Sequence, residues 1–190
     1  MAGAIAGALA VFFVLSVYLL PQSYLGSIHP TRPGPIVTDV KLSQTQVVLG
    51  ESFSLQVSAT NSGEHADMQI LSIAFPSLSS TDGIVDVQKH DFRQTPLFIK
   101  KDRAIGAGYT AQRLVPAQYP SIEASNRPWN SGETFSIELS IKPQTEGEFV
   151  IFVKAVGLPH NGDQAHWPSN GTIDHQDEFV SVYSVNVTKA

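Results

Sequence analysis

The stretch SGETFSIELSIKPQTEGEFVIFVKAVG, residues 131–157, decides the fold. Phe135, Ile137, Leu139 and Ile141 alternate with Ser136, Glu138 and Ser140. That two-residue period is the mark of a strand with one buried face. Pro143 to Gly147 then turns the chain. Phe149 to Val156 is almost continuously hydrophobic, which predicts a strand covered on both faces. The opening of the stretch has an echo: Gly132-Glu133-Thr134-Phe135-Ser136-Ile137 repeats the pattern of Gly50-Glu51-Ser52-Phe53-Ser54-Leu55. Too little chain follows Gly132 for a second domain. The repeat therefore reads as one device used twice, a glycine turn leading into an alternating strand that sends its Phe to the core.

Working outward, the same period recurs. Val47, Leu49, Phe53, Leu55, Val57 and Ala59 predict two strands around Gly50-Glu51, closed by the turn Thr60-Asn61-Ser62-Gly63. Met68 to Phe75, Ile84 to Val87, Leu97 to Ile99 and Phe179 to Val187 predict four more. In the last, the hydrophobic phase shifts around Tyr183, which predicts a bulge. Two long loops are expected. Residues 100–131 carry Gly106, Gly108, Pro116, Pro120 and Pro128 among Tyr109, Tyr119 and Trp129; they are expected to be irregular and to pack over one sheet. Residues 157–178 form a polar loop. Short strands without a helical pattern give a mainly β chain, a β-sandwich over residues 38–190.

The N-terminus is different. Ala2 to Leu20 contains no charged residue, and Pro21 ends the run. A helix over that stretch measures about 28 Å, against about 30 Å for the hydrocarbon core of a bilayer. No Lys or Arg precedes the run, so a retained transmembrane anchor over residues 1–28 is expected in preference to a cleaved signal peptide. Gly3 and Gly7 form a G-x-x-x-G face on which another membrane helix can pack. His29 to Pro35, HPTRPGP, predicts a stiff spacer over residues 29–37. The domain is placed on the extracytoplasmic side, where the sequons at Asn170 and Asn186 make sense.

Composition narrows the function. The chain has 190 residues, a net charge of -5 and no Cys. The negative charge excludes nucleic acid as a partner, and the missing Cys excludes disulfides and thiolate chemistry. Neither a G-x-S-x-G nor a phosphate-binding glycine loop is present. One constellation could carry chemistry: His160, His166 and His175, three of the six histidines, lie among Asp163, Asp174, Asp177 and Glu178. Imidazole with carboxylate suits Zn²⁺ or Cu²⁺, although the spacing matches no closed zinc motif. The same loop also reads as a plain polar loop, or as a partner-binding one. Trp129 and Trp167, aromatics on long loops, are the partner-binding candidates. His65 beside Asp67, and His90 beside Asp91, read as isolated surface pairs. Lys100-Lys101-Asp102-Arg103 reads as a solvated basic face, with lipid headgroups as the alternative contact.

VVLGESFSLQVSATNSG, followed by SGETFSIELSIKPQTEGEFVIFVKAVG, resembles the immunoglobulin-like modules of prokaryotic surface proteins, including the adhesion-related CARDB kind. The likeness covers about half of residues 38–190 and implies the fold; residues 76–131 depart from it as an insertion. TPLFIKKDRAIGAGYTAQRLVP with the strands after it is similar in layout to the cupredoxin-like domain of the B subunit of copper membrane monooxygenases. That family's His-x-His copper ligands would fall in Phe149–Lys154, where this chain has no His, so copper there is not implied. The sequence thus points to an immunoglobulin-like or cupredoxin-like β-sandwich on one transmembrane helix. The function expected is that of a non-catalytic interaction or accessory subunit beside other membrane proteins. The alternative is a metal-binding or redox-associated domain.

Overall fold

The computed structural model describes residues 29–106, 114–162, 165–174 and 177–189. The expected membrane segment, with Gly3 and Gly7, lies outside them. Among the described residues no helix is long and apolar enough to cross a membrane. Thr31–Ala190 is a compact unit separate from Met1–Pro30.

The described residues of this unit form thirteen strands. They are β1 (Pro35–Leu42), β2 (Gln46–Val48), β3 (Phe53–Asn61), β4 (Ala66–Ala74), β5 (Val85–His90), β6 (Leu97–Ile99), β7 (Ala104–Gly106), β8 (Leu114–Pro116), β9 (Ser121–Asn126), β10 (Thr134–Ile141), β11 (Gly147–Pro159), β12 (Thr172–Ile173) and β13 (Phe179–Thr188). One sheet has the order β1-β3-β10-β5. The other has β12-β13-β11-β4-β9-β6, with β2 alongside β13 in parallel; β7 and β8 pair as a separate hairpin. If β1, β3, β4, β5, β10, β11 and β13 are lettered A to G, the sheets read A-B-E-D and G-F-C. That is the constant-type immunoglobulin arrangement. The chain is an immunoglobulin-like β-sandwich.

The two G-E strands explain how the core closes. Phe53 of β3 pairs with Ile141 of β10, and Thr60 with Thr134, so the repeated device lies side by side and antiparallel. Gly50 and Gly132 both hold positive φ, 87° and 77°, which an L side chain adopts only with strain. Phe53 is buried and meets Phe149 of the opposite sheet edge-on, with centroids 5.8 Å apart. Phe135 is only half-buried, at the rim beside Phe92. On β11, Phe149, Ile151, Val153 and Ala155 face the inter-sheet core, while Val156 joins Ile70 and Ala165 in a second cluster on the outer face. The strand is covered on both faces, as its composition requires.

Three expectations are corrected. Residues 100–131 are not irregular throughout. Ser121–Asn126 form β9, an inner strand paired with β4 and β6, and β7 and β8 form a hairpin. The extra strands come from the β5–β10 connection and extend the second sheet beyond β4. Second, β13 carries no bulge at Tyr183: its register with β11 runs unbroken from Gly147↔Val187 to Val153↔Ser181. The phase shift arises because different faces are buried along the strand. Val185 and Val187 point into the core, whereas Val180, one residue out of phase, is buried on the outer face. Third, the expected spacer over residues 29–37 overlaps the sandwich, since β1 starts at Pro35. A proline opening an edge strand gives up no needed ladder bond.

Thr31–Gly34, just before β1, is bonded to one end of the sandwich. Thr31 N–H donates to the His160 carbonyl (3.0 Å), and His160 N–H to Thr31 Oγ1 (2.7 Å). Arg32 N–H donates to Glu64 Oε2 (2.8 Å) and Gly34 N–H to Asn61 Oδ1 (2.9 Å). The segment lies so close to the β3–β4 turn that a Cβ on Gly63 would sit 2.4 Å from the Arg32 carbonyl oxygen.

Candidate functional site

Of the expected histidine constellation, His160 and His166 are among the described residues. β4 and β11 pair at their ends, Ala66 opposite Pro159, and this brings His160 to His65 and Asp67. His160 Nδ1 lies 3.0 and 3.1 Å from the two Asp67 oxygens, and His65 Nε2 lies 3.3 Å from Oδ1. The two rings are 6.2 Å apart, edge to face. One exposed carboxylate thus bridges two imidazoles that the sequence reading keeps apart. His166 is placed elsewhere: its backbone exchanges two 2.8 Å bonds with Gly157. His175 lies outside the described residues. Among the described residues, no group of three or more His, Asp or Glu side chains is arranged to hold a metal ion. His65 and Asp67 share a face by their i, i+2 spacing, a signal present in the sequence. That His160 would join them depends on the β4–β11 register.

Trp129, expected on an exposed loop, is not at the surface. Its exposure is 0%, it belongs to the main core, and its backbone exchanges two 2.9 Å bonds with Ala66. Its Nε1–H donates to the Glu133 carbonyl at 3.0 Å, which satisfies the one polar atom the ring carries inward. Trp167 is half-buried and packs with Met68 and Leu158 over the cluster of Ile70, Val156 and Ala165.

Beside Trp129, Asn130 N–H donates to Glu133 Oε2 at 2.8 Å. That backbone hydrogen bond is the main cause holding the Glu133 carboxyl below its ordinary value of 4.5, against the opposing effect of partial burial; the Asn130 amide, Arg93 and His65 add to the lowering. A depressed carboxylate contributes stability above its unfolded value and loses it as pH falls through the folded one. Acid titration of the unfolding midpoint therefore shows a loss in and below the ordinary carboxylate range, and Glu133→Gln flattens that part of the profile. An unchanged profile in the variant contradicts the assignment.

A largely buried charged group lies on the outer face of the second sheet. Ser72, Phe152, Lys154 and Val180 line a cavity of about 50 Å³, with Tyr119 and Asp174 at its sides. The volume accommodates a few water molecules. Lys154 is on β11, and Asp174 and Glu178 lie in the turn that leads into β13. Lys154 Nζ is 3.2 Å from Asp174 Oδ2 and also contacts Glu178 Oε2. The three side chains expose only 10%, 6% and 4% of their surface. Asp174 and Glu178 are also bonded to each other: Asp174 N–H donates to the Glu178 carbonyl (2.9 Å), and Glu178 N–H to the Asp174 side-chain Oδ1 (3.1 Å). The geometry holds one amine against two carboxyl groups, all three side chains largely buried. The sequence reading missed Lys154 because it sits inside a hydrophobic run, and that position was the available signal.

No protein-family model and no curated protein matches the sequence. Solved structures with a similar course of chain include the cohesin module of a family 33 glycoside hydrolase from Clostridium perfringens, 10% identical over 84% of this chain and 99% of that one, with a TM-score of 0.42. A CARDB domain from Pyrococcus furiosus, solved in complex with di-metal ions, is 11% identical over 82% and 89%, with a TM-score of 0.41. A protein from Nocardia farcinica with an immunoglobulin-like fold is 11% identical over 77% and 97%, with a TM-score of 0.43. The likeness is one of backbone architecture.

Proposed function

We propose that the protein is a non-catalytic interaction component: an extracytoplasmic sandwich, tethered to a membrane by the apolar segment before Pro21, that serves as an accessory subunit beside other membrane proteins. The observation that carries this reading is the way the chain enters the domain. Thr31–Gly34 is hydrogen-bonded to the sandwich end at His160, Glu64 and Asn61. A tether attached there joins the domain at a hydrogen-bonded segment. Lys100–Arg103 follow Ile99, which pairs with Ser121 beside Ala74, at the end of the sheet away from Ala66 and Thr31.

The test uses the full chain. Alkaline carbonate leaves it in the membrane pellet, and a chain lacking residues 1–28 is released. In mild detergent, proteins that co-purify with the wild type are lost from the Gly3→Leu/Gly7→Leu variant. Release of the full chain by carbonate overturns the tether. A wild-type chain that purifies alone overturns the accessory-subunit reading.

A further inference from the structure

The Lys154 cluster has the layout of a reaction site as well as of an ion pair. An ammonium and two carboxylates with side-chain exposures of 10% or less form a group with one negative charge in excess. Such burial costs desolvation energy that mutual attraction repays only in part. Each member also has a distinct position. Asp174 has one oxygen on the amine and the other on a backbone N–H, that of Glu178. Glu178 places its own carboxylate on the same amine. A nucleophile, an electrophile polarised by a fixed N–H and a base on the nucleophile are the components of acyl transfer.

We propose that Lys154 and Asp174 condense to an intramolecular amide, with Glu178 as the proton carrier. Glu178 relays a first proton from the Lys154 ammonium to Asp174 Oδ2, which turns that carboxylate into a neutral acid open to attack. The freed Nζ lone pair attacks Asp174 Cγ, and the new oxyanion at Oδ1 is held by the Glu178 N–H. The Cγ–Oδ2 bond then breaks, and its electron pair leaves with oxygen. The two protons lost by nitrogen go to that oxygen by way of Glu178, and one water departs. An Nζ–Cγ bond replaces a Cγ–O bond, the ammonium and carboxylate charges cancel, and no oxidant, reductant or further reactant is consumed. Fixed proximity replaces a bimolecular encounter, and the departing water has the adjacent cavity to enter. The product ties the middle of β11 to the turn before β13. It closes the loop between them over the outer face, a covalent staple in a chain with no Cys for a disulfide.

Intact mass spectrometry of the full chain, followed by peptide mapping, tests this. The wild type is expected to fall short of its sequence mass by one water, and digestion yields a branched peptide joining the Lys154 and Asp174 segments. Glu178→Gln and Lys154→Arg regain the full mass. The proposal is overturned by linear Lys154 and Asp174 peptides in the wild type, including a linear Asp174 peptide that has itself lost water. A bridge mapped to Glu178, or equal bridging in wild type and Glu178→Gln, also overturns it.

Discussion

Trp129→Ala lowers the stability of the folded domain by about 3–5 kcal/mol, the range for removing a large aromatic from a core. The ring is fully buried and stands on the inner side of the sandwich with Ala66 and Ala124 in the same cluster. Small neighbours cannot fill the space by changing rotamer, so the cavity stays open. The variant also leaves the Glu133 carbonyl without its indole donor. In a domain of this size, each 1 kcal/mol moves the melting temperature by roughly 2–4 °C. Trp167→Ala is the control. Its ring is half-buried over a small satellite cluster, and its loss costs about 1 kcal/mol of partly buried area. Thermal or urea unfolding of the two variants decides the matter. Equal destabilisation contradicts the assignment of Trp129 to the core and Trp167 to its margin.

The contrast between the two tryptophans shows what the sequence could carry. Strands with one buried face were legible because hydrophobic alternation reports local geometry: β3 and β10 fall where the G-E repeats place them, and β11 where the hydrophobic run does. β9 was hidden for a physical reason. Its outer residues are Ser121, Glu123 and Ser125, and one of its inner residues is Asn126, whose amide donates to buried Gln69 (2.9 Å) and accepts from Arg93 N–H (2.6 Å). With Asn126 at the third inner position, the hydrophobic period of β9 is only Ile122 and Ala124, too short to stand out. Trp129 is a core residue because Ala66 pairs with it across more than sixty positions of chain, and composition alone places such an aromatic on a loop. The same holds for the sites. Lys154 acquires its role only through Asp174 and Glu178, which lie twenty or more positions further along the chain. His160 meets His65 and Asp67 through the β4–β11 register, which its sequence neighbours do not report.

Asn61→Ala is expected to cost about 2–4 kcal/mol, the loss of several partners around a buried side chain. Asn61 has no exposed surface and uses its amide fully. Oδ1 accepts from Gly34 N–H (2.9 Å) and Gly63 N–H (3.1 Å), and Nδ2 donates to the Glu64 carbonyl (2.6 Å) and the Trp129 carbonyl (3.2 Å). One side chain therefore joins the segment entering the domain, the β3–β4 turn and the Trp129 loop. Asn61→Asp does not rescue the site. It keeps the two acceptor bonds but turns an oxygen towards two carbonyl oxygens, so it is expected to be at least as unstable as Asn61→Ala. Hydrogen exchange supplies the local measurement. Gly34 and Gly63 amides are protected in the wild type and exchange far faster in Asn61→Ala, even under conditions where the sandwich as a whole stays folded. Unchanged protection would mean that Thr31–Gly34 is held by its backbone bonds to Ser62, Glu64 and His160 alone. The segment at which the proposed tether joins the domain would then not depend on Asn61.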